Sequence, residues 1–266
     1  MSALSVRSFA SFTLPVGLLA GLLIGPVQAQ QAPRLDVPYV PTPEPVVAHM
    51  LQLAEIGPDD YLIDLGSGDG RIAISAVQDH GARAAYGIDL DPERVSEAQE
   101  NAEREGVADK VTFEQGDLFQ KDISEADVLT MYLLSTVNMR LRPVILDTLK
   151  PGTRVVSHAF NLGDWEPDQS DVINGSSVFL WIVPAKVAGQ WTLELDGQNY
   201  QVELDQRFQK VVGKVDGQPD MLSGQLNGSE LRFTLDDRLY VGQLNGDRIE
   251  AVPADGAQQG WVARRS

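Results

Sequence analysis

The chain has 266 residues, of which 43% are hydrophobic and 22% charged, so it is long enough for one large or two modest globular domains. Its net charge of −17 disfavours nucleic acid and anionic lipid as partners, since binders of polyanions normally present clustered basic residues, whereas a basic protein would be attracted. The absence of cysteine excludes disulfides and thiolate metal sites. Three scattered histidines lack the spacing of metal ligands, and we expect no metal: His49, His80 and His158.

The N-terminus has the pattern of a secretory signal peptide. Arg7 precedes an apolar stretch over residues 9–24, and Val27-Gln28-Ala29 provides small residues for cleavage after Ala29. We therefore expect residues 1–29 to be removed and the protein to be periplasmic or secreted, with no stable membrane span afterwards. The alternative is an uncleaved membrane anchor, for which the apolar run is short and contains helix breakers.

A proline-rich segment over residues 30–43 follows and should be extended, because each proline biases its predecessor away from helix. A helix should begin near Glu44 or Pro45, with Thr42 as its N-cap. This helix opens the predicted main domain, residues 44–184.

An apolar run that ends in a glycine-spaced turn, YLIDLGSGDGR, occupies residues 61–71. Residues 61–65 predict a buried parallel strand, and Arg71 opens a predicted helix. Glycine is needed between them because the chain must turn sharply and approach a ligand at the helix N-terminus. The dinucleotide fingerprint requires its third glycine where Arg71 stands, so a pyrophosphate ligand is disfavoured. The turn contains an acid and three glycines: Asp64, Gly66, Gly68 and Gly70.

Two further acids follow the next two predicted strands. Asp89 lies near the end of a strand over residues 84–90, where a carboxylate can accept hydrogen bonds from ribose hydroxyls. Asp117 follows a strand over residues 111–116 and would reach an adenine amino group. The alternative is that Asp64 caps the following helix and that Asp89 and Asp117 are ordinary turn acids.

This order of acid, glycine turn, acid and acid resembles the class I S-adenosylmethionine (SAM) methyltransferases. The resemblance implies an α/β fold with a Rossmann-like class I methyltransferase sheet and SAM as the cofactor. The predicted cofactor-binding residues are Tyr39, Thr42, Asp64, Gly66, Gly68, Gly70, Asp89, Asp117 and Leu118.

Four segments narrow the resemblance: PYVPTPEPVV, DLGSGDGR, YLLSTVNMRLRP and PGTRVVSHAFNLGDWEPD. They are similar to the lysine methyltransferases of mitochondrial inner-membrane proteins (ATP synthase c-subunit, adenine nucleotide translocase) and their bacterial relatives. A more distant similarity is to the histone lysine methyltransferases that lack a SET domain. By this resemblance, which covers about residues 38–184, Tyr39 and Thr42 close over the methionine end of SAM. The alternative is that this proline-rich segment is only a linker from the signal-peptide site to the main domain.

The fourth predicted strand, residues 126–134, contains Tyr132 near its end. Methyltransferases that act on nucleic-acid bases carry an Asn/Asp-Pro-Pro-aromatic motif here, and its absence disfavours base methylation. A lysine must arrive as the neutral amine, since its ammonium form has no lone pair. Tyr132 either lines a lysine channel or is a packed aromatic of the strand.

The next helix, residues 135–149, is expected to place Asn138 on its exposed side, and strand five over residues 153–160 contains His158. His158 is a candidate proton acceptor, with a structural histidine as the alternative. The resembled family often has His-Asp-Phe here, whereas this chain has His158-Ala159-Phe160. An apolar strand over residues 178–183 is expected to finish the sheet.

Residues 186–266 change to an alternating pattern with Asp-Gly or Asn-Gly at 196, 216, 227 and 245, which predicts hairpins. We expect a C-terminal antiparallel all-β domain, a meander or small barrel of six to eight strands. It is either a docking surface or a stabilising or dimerising module. Six aromatic residues should fill its interior: Trp191, Tyr200, Phe208, Phe233, Tyr240 and Trp261.

The sequence thus predicts an exported SAM-dependent methyltransferase that acts on an amine, most of all a protein lysine. The alternatives are a small-molecule methyltransferase and a non-catalytic periplasmic binding or assembly protein that keeps the fold. The oligomeric state stays open.

Overall fold

A computed structural model describes residues 39–217 and 221–266. The predicted signal peptide, residues 1–29, and most of the proline-rich segment lie outside the described residues. Among the helices of the described ranges, none is both long and apolar enough to cross a membrane.

The first sheet contains seven strands, five of which are parallel. Four helices accompany it: α1 (Glu44–Leu53), α2 (Arg71–Gln78), α3 (Pro92–Arg104) and α4 (Ser135–Thr148). The strands are β1 (Tyr61–Leu65), β2 (Ala84–Asp89), β3 (Val111–Gln115), β4 (Val128–Met131), β5 (Arg154–His158), β6 (Gln169–Ile173) and β7 (Ser176–Ile182).

The strand order is β3-β2-β1-β4-β5-β7-β6, with β7 antiparallel to β5. The chain reverses its direction of travel across the sheet between β1 and β4, which are neighbours. In open parallel sheets such a switch point leaves a crevice beyond the carboxyl ends of the strands, where ligands bind. The predicted Rossmann-like sheet is confirmed.

Side chains of β1 point alternately to two apolar layers, as the period of a strand requires. Leu62 packs with α1, α2 and α3 on one face of the sheet, whereas Ile63 packs with α4 on the other. Burial on both faces explains why β1 reads as a continuous apolar run. It also holds the carboxyl end of β1 in a fixed position beneath the glycine turn.

Three local predictions for this region are wrong. Strand β6 was not expected, and it rather than β7 forms the edge of the sheet. Pro43 is the N-cap of α1, so Thr42 does not cap the helix; its hydroxyl instead lies 3.2 Å from Nδ1 of His158. Asn138 is fully buried rather than exposed, because its amide satisfies the backbone carbonyls of the loop after β5.

The predicted antiparallel C-terminal sheet is confirmed, but the described residues contain nine strands in it rather than six to eight, and one short strand pairs in parallel. Eight of these close into a ring, because β12 pairs with β13 and β16 pairs with β8. The strands are β8 (Gly189–Leu195), β9 (Gln198–Arg207), β10 (Lys210–Val215), β11 (Met221–Asn227), β12 (Glu230–Leu235), β13 (Arg238–Asn245), β14 (Arg248–Ala251), β15 (Ala257–Gln258) and β16 (Val262–Arg265). We call this ring the barrel.

The barrel interior is filled by side chains. Phe233 stacks on Tyr240 at 4.9 Å between ring centroids, and the edge of Trp261 meets both rings. Trp191 is buried with them, and Tyr200 packs at the margin of the cluster. Phe208 was wrongly assigned to this interior. It occupies the tight turn between β9 and β10 and packs against the apolar layer of the first sheet.

Candidate active site

The glycine turn after β1 adopts backbone angles that suit only glycine. Gly66, Gly68 and Gly70 have φ values of 74°, 53° and 81°. A Cβ on Gly68 would lie 2.5 Å from the ring of Tyr39, so the segment before α1 rests directly on the turn. The N-cap residue of α2, Gly70, has no side chain to cap the helix, and the N–H of Arg71 donates to Asp69 Oδ1 at 3.3 Å.

A cavity of about 270 Å³ opens over the carboxyl ends of the parallel strands. It is lined by eight of the nine residues predicted to bind cofactor, and by Tyr132. Gly70 is the exception. A Cβ on Gly70 would lie 2.4 Å from the ring of Phe113, so this glycine faces the apolar core. His158 is also outside the lining. The structure thus brings predicted site residues that are far apart in the chain, from Tyr39 to Tyr132, to one cavity.

Asp64 is the most deeply buried acid of this pocket, at 1% exposure. Thr130 Oγ1 donates a 2.7 Å hydrogen bond to its Oδ1, whereas Oδ2 has no partner among the described residues. Burial, together with the nearby carboxylates of Asp89 and Asp69, raises the pKa of Asp64 to about 7. Asp64 therefore does not cap α2, and its second oxygen is available to a cationic ligand group.

Asp89 and Asp117 each hold a turn and line the cavity at the same time. Asp89 accepts hydrogen bonds from the backbone N–H of Gly68 (2.8 Å) and of Asp91 (2.9 Å). Asp117 accepts one from Phe119 N at 3.0 Å, at the start of a short 3-10 helix. Because each carboxylate oxygen has two acceptor sites, these bonds leave capacity for ribose hydroxyls or an amino group. The turn-acid and ligand-binding interpretations are therefore compatible.

A segment of four residues, 39–42, covers the glycine turn, and we call it the strap. Arg71 Nη1 donates to the carbonyl oxygen of Thr42 at 2.9 Å, and the same guanidinium pairs with Asp69 at 2.6 Å. The guanidinium of Arg94 lies 4.8 Å from the ring centroid of Tyr39. Burial and the carboxylate of Asp69 raise the pKa of Tyr39, so its hydroxyl stays protonated.

Sequence reasoning missed Asp69, Arg71 and Arg94 as site residues. Asp69 and Arg71 stand inside the motif GSGDGR, which was a signal for them. Their carboxylate and guanidinium hold each other through bonds of 2.6–3.1 Å. Arg94 lies on α3, and only the packing of α3 against the turn brings it to the strap.

Aromatic side chains follow β4 and β5 on the other side of the cavity. The ring of Tyr132 lies 3.9 Å from that of His158 and 6.2 Å from that of Phe160, measured between centroids. Burial lowers the pKa of His158, which favours the neutral imidazole at physiological pH. With Thr42 on its Nδ1 and Tyr132 against its ring, His158 connects the strap to the aromatic wall.

The chain is similar to known methyltransferases over this region. The family model of the ANTKMT methyltransferase domain matches residues 64–169. A protein-lysine N-methyltransferase of Saccharolobus islandicus is 45% identical over 151 residues, which are 55% of this chain and 94% of the relative. The adenine nucleotide translocase lysine N-methyltransferase of Mus musculus is 34% identical over 162 residues, 61% of this chain and 70% of the relative.

Among solved structures, an RNA methyltransferase from Salinibacter ruber in complex with S-adenosyl-L-homocysteine (SAH) superposes with a TM-score of 0.55 and 53% identity. The match covers 56% of this chain and 96% of that chain. The sheet topology, the glycine turn and these relatives all indicate a SAM-dependent methyltransferase. The chain therefore belongs to the ANTKMT methyltransferase family of protein-lysine methyltransferases and is a SAM-dependent enzyme.

Proposed function

We propose that the enzyme transfers the methyl group of SAM to a lysine side chain of a protein substrate, and that it does so after export. The proposal of a lysine acceptor rests on one observation: the strand order places two chemically different halves of the cavity on opposite sides of β1. Asp89 ends β2 and Asp117 follows β3 on one side of β1, whereas Tyr132 and Phe160 follow β4 and β5 on the other. One half suits a nucleoside and the other an apolar side chain.

The chemistry of the acidic half fits SAM. Asp89 would accept hydrogen bonds from the ribose hydroxyls, and Asp117 would accept one from the adenine amino group. The unpartnered oxygen of Asp64 would take the α-ammonium group, because a buried carboxylate favours a cationic partner. When bound, SAM supplies an electrophilic methyl group on its sulfonium. The strap would exclude water from this half.

The aromatic half suits the apolar stem of lysine. Leu134, Val137 and Phe160 line the cavity together with Tyr132 and contribute apolar surface to it. An apolar environment disfavours the ammonium form and lowers the pKa of an entering amine, which exposes the lone pair that displacement requires. The protein's task is then to align that lone pair with the methyl carbon. We propose that the ring of Tyr132 guides the amine.

His158 is best suited to a positioning role. It is 3% exposed, lies outside the cavity lining and contacts both Thr42 and Tyr132. A neutral, buried imidazole in this position fixes the strap and the aromatic wall relative to each other. We therefore assign the second of its two interpretations, a structural histidine, rather than direct proton acceptance.

Three features favour a protein acceptor over nucleic acid. The net charge is −17, the base-methylating Pro-Pro motif is absent after β4, and two relatives are named for protein lysine. The solved relative from Salinibacter ruber is named for RNA, so RNA belongs among the candidate acceptors in a test. The same test must distinguish a small-molecule acceptor and a non-catalytic periplasmic role.

The acceptor is identified by incubating the purified mature chain with methyl-labelled SAM and, separately, basic envelope proteins, total RNA and a metabolite extract. We expect label on lysine residues of one or a few proteins, located by mass spectrometry. Asp89→Ala serves as the matched variant with an impaired cofactor site. Label confined to RNA or to metabolites would contradict the lysine assignment, and SAM binding without any transfer would support the non-catalytic role.

The proposed export rests on the pattern of residues 1–29. It is tested by fractionating cells that express the full chain and sequencing the N-terminus of the recovered protein. We expect periplasmic protein that begins at Gln30. Recovery with membranes and an intact Met1 would favour an uncleaved membrane anchor.

A further inference from the structure

The loop between β5 and β6, residues 159–168, connects the active site to the barrel, and we call it the acceptor loop. Its Phe160 lines the aromatic half of the cavity. Helix α4 holds the loop from one side: Asn138 Nδ2 donates to Phe160 O at 3.0 Å, and Arg142 Nη1 donates to Leu162 O at 2.9 Å. The conformation of the wall thus depends on hydrogen bonds to the loop backbone.

The barrel holds the same loop from the other side. Gln209, only 3% exposed, donates through Nε2 to Glu166 O at 2.8 Å. Arg207 Nη2 pairs with Asp164 Oδ2 at 2.7 Å, while the other oxygen of Asp164 pairs with Arg142 of α4. Arg207 and then Arg142 lower the pKa of Asp164 to about 2, so its carboxylate is ionised at physiological pH and can pair with both arginines.

Phe208 makes the central contact of this junction in a strained conformation. Its φ is 55°, a region that bulky residues rarely adopt and that hairpin turns normally give to Gly or Asn. Its ring stacks on the buried Trp165 of the loop, 5.9 Å between centroids with planes 19° apart. The guanidinium of Arg142 lies 5.3 Å from the Phe208 centroid. Strain of this kind persists where the side chain is needed.

We propose that the barrel positions the acceptor side of the active site, with Phe208 and Gln209 as its positioning residues. The turn between β9 and β10 fixes the acceptor loop, and the loop fixes Phe160. This inference rests on the proposed function, since it gives the aromatic half to the acceptor. It predicts that the junction controls acceptor binding and leaves cofactor binding unchanged, because Asp89 and Asp117 lie on the far side of β1 from the loop, which follows β5.

The test uses full-length variants in three measurements. Phe208→Gly removes the ring and relieves the strained φ, Gln209→Ala removes one hydrogen bond, and Phe208→Tyr preserves the stack. Asp237→Gly is the matched control: its φ is also positive (59°), in the turn between β12 and β13. Successive turns of an antiparallel ring lie at opposite ends of it. The turn between β12 and β13 is the third after the turn between β9 and β10, so it lies at the end remote from the junction. The measurements are amide hydrogen exchange, SAH affinity, and the kcat and KM for poly-L-lysine.

For Phe208→Gly we expect at least tenfold faster exchange in residues 159–168, an SAH Kd within twofold of wild type, and a roughly tenfold higher KM with a smaller change in kcat. Gln209→Ala should show a milder form of the same pattern, and Phe208→Tyr should behave as wild type. Exchange that rises only within the barrel, or equally in Asp237→Gly, would overturn the proposal. If poly-L-lysine accepts no methyl group, the lysine function is in question, while hydrogen exchange still decides the positioning role.

Discussion

The guanidinium of Arg71 joins the glycine turn to the carbonyl oxygen of Thr42 through a 2.9 Å hydrogen bond. Arg71 stands where a dinucleotide-binding turn would have its third glycine. The same position that disfavours a pyrophosphate thus supplies the anchor of the strap. Asp69 pairs with the same guanidinium at 2.6 Å, so this ion pair supports one of the contacts that hold the strap.

Replacing Arg71 by Ala should weaken SAM binding by about tenfold, since hydrogen bonds to charged groups contribute about 1.5–3 kcal/mol. Arg71→Lys should recover only part of the affinity, because lysine lacks the planar fork that pairs with Asp69. Titration calorimetry with SAM measures both variants. Arg104→Ala is the control, as Arg104 is exposed and, within the described part of the chain, its ion pair is with its neighbour Glu105. An Arg71→Ala affinity equal to that of the control would show that the strap is not anchored in this way.

Asp64 should destabilise the ligand-free fold at neutral pH. Its pKa rises from 3.8 to about 7 on folding, so between these values the folded state binds the extra proton and stability falls as pH rises. Asp64→Asn removes this effect and should be more stable than wild type at pH 7.5, by up to about 4 kcal/mol. Urea unfolding without SAM, at pH 4 and at pH 7.5, measures the difference. A stability gap that does not widen with pH would contradict the assignment.

SAM affinity should show the opposite dependence on pH. The α-ammonium group favours the ionised carboxylate of Asp64, so binding should strengthen between pH 5.5 and about 7 as that group loses its proton. We expect a Kd that falls several-fold over this interval in wild type and stays flat in Asp64→Asn, which should bind SAM more weakly at every pH. Calorimetry in buffers of different ionisation enthalpy would also detect the released proton. A flat wild-type profile would place the ammonium elsewhere.

Substitutions of Tyr132 should change methyl transfer to the acceptor without changing cofactor binding. Tyr132→Phe keeps the ring beside His158 and Phe160, so transfer should stay within about threefold of wild type if the ring guides the amine. Tyr132→Ala opens the wall and should lower kcat/KM by about 100-fold, or roughly 2.7 kcal/mol of transition-state stabilisation. SAH affinity measured in parallel should change little in either variant. A large loss in Tyr132→Phe would instead give the hydroxyl a direct role.

Much of the first sheet could be predicted from local patterns. The strand before the glycine turn begins and ends as expected, and the helix after it begins as expected, because an apolar run and helix-starting residues are local signals. Edge strand β6 was missed because only one of its faces meets the core, and it includes the exposed Val172. Phe208 was misassigned for a related reason: the alternating pattern does not tell which residues of a tight turn face another sheet.

The sequence by itself determined the kind of cofactor and the order of the acids, since glycine spacing and strand-end carboxylates act through backbone geometry that neighbouring residues specify. Only the tertiary structure decided how the side chains of the cavity are buried and held in place. The strap over Gly68, the burial that raises the pKa of Asp64, and the hold of the barrel on the acceptor loop all join residues far apart in the chain. Such contacts arise from packing of whole elements, and no local pattern encodes them.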